Sequence, residues 1–98
     1  MQISDVDNIE TLPGAELVLA GMRDLHNGDI SENALLVLIA KPRLERLGFE
    51  VPDVRISRAL SHELYSRLEV SKGNSAYSYF NSLLRRLNSF ASILEKSV

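Results

Sequence analysis

Three basic residues, Arg55, Arg58 and His62, follow one another at intervals of three and four. On an α-helix that spacing sets them in a line down one face, where guanidinium and imidazole groups can meet the phosphates of a nucleic acid. A helix-turn-helix can be laid over residues 44–60, with Gly48 in the turn, Leu47 and Val54 as core anchors, and Arg55 and Arg58 entering the groove. The fit is partial: Leu44 stands where a small residue is preferred, and Ser57 where an apolar one should pack. A solvated face with local ion pairs, such as Arg67 with Glu63, explains the same residues more simply, so nucleic-acid binding ranks as the alternative function.

A second group lies on the last helix, where Tyr79, Ser82, Arg86 and Ile93 are the candidate protein interface. The polar side of that helix is made of small hydrogen-bonding residues, Ser75, Ser78, Ser82, Ser89 and Ser92, with Arg85, Arg86, Asn81 and Asn88 among them. A purely solvating face would carry more charge. Two apolar residues at the margin, Tyr79 and Ile93, point to contact with another chain, and the leading expectation is a small interaction module that self-associates.

Enzymatic chemistry finds no foothold in the pattern. His26 and His62 are the two histidines, and neither takes part in a metal-ligand spacing. His26 falls at the end of a helix, where the dipole suits it. His62 and Glu63 are adjacent, so a helix points them about 100° apart. Asp5 and Asp7 lack the glycine and distal glutamate of a calcium loop. No glycine-rich phosphate loop occurs, and no serine sits in a nucleophile elbow. The expectation is a non-enzymatic protein with no metal and no cofactor.

Composition sets the frame for these groups. Ninety-eight residues, 45% of them hydrophobic, suffice for one core without staples, and there is no cysteine. Residues 1–12 are polar and acidic, unlike a secretory signal, and the longest apolar run, residues 34–40, is far below the ~20 that a bilayer demands. A cytoplasmic address without membrane contact is the expectation. The net charge of −2 hides a split: residues 1–32 hold seven acids against Arg23, while residues 33–98 hold ten Lys and Arg against six acids. Attraction within the chain accounts for that division.

The elements that must position these groups read as helices throughout. Residues 1–11 lack a period and are expected as a flexible acidic arm, with residues 12–98 as a single helical domain. The first helix is expected over 12–27, opened by Pro13 and closed by Asn27-Gly28. The second starts near Asp29 or Ser31, either of which can cap it, and buries residues 34–40 at the centre. Pro42 begins a short helical turn that ends before Gly48, and Phe49 and Val51 tuck into the core.

Asp53 is expected to cap a helix over 53–70 that buries Leu60, Leu64 and Leu68, helped by Val54, Ile56 and Tyr65. A loop at Ser71-Lys72-Gly73-Asn74 then turns the chain into the last helix, whose stripe runs through Tyr77, Phe80, Leu84, Leu87, Ala91, Leu94 and Val98, with Ala76, Leu83 and Phe90 beside it. That apolar arc of roughly 150° is wider than a two-stranded seam, so the helix must lie against several neighbours. The fold class is therefore all-α: a compact bundle of about four main helices plus one short turn, with the last two helices antiparallel.

Overall fold

A computed structural model describes residues 11–56 and 59–96, and among them the chain is helical with no strand. In chain order the elements are α1 (Ala15–His26), α2 (Glu32–Ile39), α3 (Lys41–Arg46), α4 (Leu60–Lys72) and α5 (Ala76–Lys96), with a 3-10 turn at Gly73–Ser75 between the last two. This is the expected set of four main helices and one short one.

Helix α2 occupies the middle because its sequence leaves no polar side to show. Ala34, Leu35, Leu36 and Val37 are wholly buried, and α1, α3, α4 and α5 all touch this one short helix. Ser31 supplies the start: its Oγ accepts from the Ala34 N–H at 3.1 Å and its hydroxyl donates to Asp24 Oδ2 at 2.6 Å, tying the cap back to α1. Helix α1 crosses α2 at Gly21, where a β-carbon would run into the Asn33 carbonyl and stand 2.5 Å from Val37 Cγ2. Only a residue without a side chain allows the two backbones so near.

Helix α1 begins later than its sequence suggests. Gly14 has φ +81°, and its backbone lies against the Arg86 carbonyl and Phe90 Cβ of α5. That left-handed conformation cannot belong to a helix, so Leu12 and Pro13 form a turn outside it. The cause is a tertiary contact 72 residues downstream, outside the range of local pattern.

The start of α4 is the larger correction. Residues 51–56 form no regular element, and α4 starts at Leu60. Val51, Val54 and Ile56 are β-branched and face the core, while Asp53 and Arg55 between them are exposed. An irregular strap covers the core here, and Asp53 pairs with Lys41 Nζ at 3.0 Å rather than capping a helix. Phe49 and Val51 do reach the core, Phe49 with its ring 5.9 Å from that of Phe90.

Helices α4 and α5 fold back on each other at Gly73. The rings of Tyr65 and Phe80 lie 5.4 Å apart edge to face, whereas one continuous rod would separate them by about 22 Å. On α5 the buried line is Ala76, Leu83, Leu87, Phe90, Ala91 and Leu94, with Phe80 and Leu84 half-buried beside it. Tyr77 departs from the expected stripe: it is 66% exposed, at the start of α5 and on the margin of its arc. Val98, the last residue of that stripe, lies outside the described residues.

Candidate functional site

Arg55 and His62 do not lie on one helix, as the line through Arg55, Arg58 and His62 requires. Arg55 is exposed on the irregular strap, His62 is exposed in the first turn of α4, and Arg58 lies outside the described residues. The recognition helix required by a helix-turn-helix over residues 44–60 is absent at Val54 and Arg55, because the β-branched alternation there packs an extended side against the core. A single basic helical face is therefore not what this segment presents.

Tyr79, Ser82, Arg86 and Ile93 are brought together. Their offsets of three, four and seven residues on an unbroken α5 confine them to an arc of about 60°. Tyr79 and Ile93 are each 36% exposed. Lys72, at the end of α4, lies over the Tyr79 ring with its Nζ 4.6 Å from the centroid, which fixes the ring at the hairpin end of the strip.

The strip does not stop at α5. Arg86 Nη2 is bonded to Glu16 Oε1 of α1, a pair separated by 70 residues in the chain, and both side chains stay substantially exposed. Glu16 sits in the first turn of α1, where its own backbone N–H, and then the Arg86 guanidinium by hydrogen bond and charge, hold its carboxyl below the ordinary range. Leu19, one turn further along the same side of α1, is 38% exposed. The Arg86–Glu16 pair thus joins the α5 strip of Tyr79, Ser82 and Ile93 to the first turn of α1, and Lys72 adds a second cation at the hairpin end.

The other polar residues of α5 serve a different purpose. Arg43 of α3 donates to Asn88 Oδ1 at 2.6 Å, to Ser92 Oγ at 3.1 Å and to both oxygens of Glu95, clamping α3 to the far flank of α5. Glu95 is lowered from its ordinary value by the Arg43 hydrogen bonds first, then by the charges of Arg43 and Arg46, and Arg43 is correspondingly raised. Nothing in the local spacing of Asn88, Ser92 and Glu95 announces a partner on another helix. On α4, Arg67 pairs with Glu63 at 3.2 Å, as their spacing predicts, and also reaches the Ile30 carbonyl in the α1–α2 link.

Among the described residues no polar or charged side chain is buried, and no three His, Asp or Glu side chains come close enough to hold a metal ion. No described helix is long and apolar enough to cross a membrane. No protein-family model matches the chain, and no characterised protein or solved structure is significantly similar to it.

Proposed function

We propose that this protein is a small, non-enzymatic helical interaction module that pairs with a second copy of itself through the Tyr79, Ser82, Arg86 and Ile93 strip of α5 and the adjoining Glu16 and Leu19 of α1. The observation behind this reading is the exposed Arg86–Glu16 pair. A surface with opposite charges side by side is its own complement: a two-fold axis through it sets each Arg86 against the other copy's Glu16. The half-exposed Leu19, Tyr79 and Ile93 supply apolar contact around those charges, and Ser82 allows the helices to approach closely. A cytoplasmic address belongs to the same proposal, supported by a composition without cysteine.

Multi-angle light scattering at about 10–200 µM, a range suited to weak isologous pairs, tests it. The expected result is a species of twice the 10.9 kDa chain mass, converted to monomer by Ile93→Glu with the helical circular dichroism unchanged. A parent protein that stays monomeric across that range overturns the proposal, as does an Ile93→Glu variant that remains dimeric.

A further inference from the structure

Two residues beyond Ser82 and Arg86, and so about 200° round the helix, Leu84 and Asn88 face a groove on the opposite flank of α5. Its volume is about 330 Å³. The apolar walls come from Ile39 and Pro42 on one set of elements and from Leu84 and Leu87 on α5, and the polar lining is Arg43, Arg46 and Asn88.

The hydrogen bonds of this lining are unevenly committed. Arg43 is spent on Glu95, Asn88 and Ser92, so its guanidinium is a fixed piece of wall. Asn88 Oδ1 accepts from Arg43, and its amide carries two N–H donors besides. Glu95 uses both oxygens on Arg43, and Arg46, three residues along α3 and exposed, adds a second guanidinium. The lining therefore joins apolar walls to two guanidiniums and an amide, with no acidic side chain among its residues.

Such a lining recognises a ligand whose body is apolar and whose head only accepts hydrogen bonds. We propose that the groove binds a small amphipathic carboxylate, with its hydrocarbon part against Ile39, Pro42, Leu84 and Leu87 and its carboxylate on the Arg46 guanidinium and the Asn88 amide N–H groups. The planar fork of an arginine matches two carboxylate oxygens. A volume at the small end of ligand cavities suits a medium-chain acid rather than a long lipid. This inference is independent of the pairing strip, which lies on the other side of α5.

Amide NMR titrations with decanoate and with decanol separate head from tail. Decanoate is expected to shift the amide signals of Ile39, Leu84, Leu87 and Asn88 saturably with a Kd below about 1 mM, and decanol to bind at least about tenfold more weakly. Arg46→Gln, an exposed site whose replacement leaves the helical circular dichroism unchanged, is expected to weaken decanoate about tenfold and to leave decanol unaffected. The proposal is overturned by an absence of saturable shifts with decanoate, by equal affinity for acid and alcohol, or by an Arg46→Gln variant that binds decanoate as the parent does. Shifts confined to Tyr79, Ser82, Arg86 and Ile93 overturn it too, since they mark coating of the other strip.

Discussion

Arg43 and Glu95, 52 residues apart, meet as a two-pronged pair: Nε donates to Oε2 at 2.7 Å and Nη2 to Oε1 at 2.8 Å. With Asn88 and Ser92 on the same guanidinium, this one side chain ties α3, a helix too short to hold itself, to the last turns of α5. Around it, the α3–α5 flank gains the fixed wall of the carboxylate groove.

Glu95 and Glu16 both have carboxyls lowered in the fold, Glu95 by Arg43 and Glu16 by its own backbone N–H and Arg86. The unfolded chain then binds more protons than the folded one on the acid side. The stability from these pairs is therefore complete above the ordinary carboxylate value of 4.5 and disappears as pH falls through the lowered values. Urea midpoints should hold nearly level from about pH 7 to pH 5 and fall below about pH 4.5. In an Arg43→Gln, Arg86→Gln double variant the acid fall should be shallower, and an identical slope in parent and variant would disprove this assignment.

Gly21→Ala places a methyl group against the Asn33 carbonyl and Val37 at the α1–α2 crossing, where both neighbours are backbone or packed core. Although alanine favours helices, overpacking wins here. The expected loss is about 1–3 kcal/mol by urea denaturation with the m-value unchanged. A gain in stability, which propensity alone predicts, would show that the two helices can part freely.

Phe90 is fully buried where α5 meets Phe49 and the Gly14 turn. Truncation to alanine removes the ring from three segments at once. The cost should be about 3–5 kcal/mol, a large share of what a domain of this size possesses, and thermal unfolding followed by circular dichroism measures it.

Ser31→Ala removes the acceptor for the Ala34 N–H and also the donor to Asp24. About 1–2 kcal/mol should be lost in a thermal melt, and Ser31→Asn should restore most of it, because asparagine caps as well as serine. If Ser31→Asn is no better than alanine, the Asp24 link and not the cap holds the start of α2.

Much of the fold could be read from spacing. The buried run from Ala34, the stripe through Leu87, Ala91 and Leu94 with Leu83 and Phe90 beside it, the Ser31 start and the Arg67–Glu63 pair all rest on relationships within one or two turns of a helix. The start of α4 departs from the expectation although its signal is local. Val54-Arg55-Ile56 alternates with a period of two, the pattern of a segment with one side on the core and not of a helix capped by Asp53. Tyr77 shows another limit: a residue on the margin of an apolar arc is sheltered only if a neighbouring element reaches that far, and at the hairpin end none does.

The candidate strip was only half legible. Tyr79, Ser82, Arg86 and Ile93 share a side because of helical geometry, but Glu16 joins them only because the start of α1 packs beside α5. The groove was invisible for the same reason, as Ile39, Pro42, Arg46, Leu84 and Asn88 come from separate helices.

By itself, then, the sequence determined that the chain is helical, which stripe of each main helix is apolar, and that its chemistry is not built on thiols. Those properties follow from residue type and from a 3.6-residue period, both local. Tertiary structure alone decided that α1 begins only after Gly14, which acids Arg43 and Arg86 hold, and where a groove opens. Each of those depends on how closely and at what register helices distant in the chain cross, and that distance is set by side-chain volumes packed between them, which no single stretch of sequence contains.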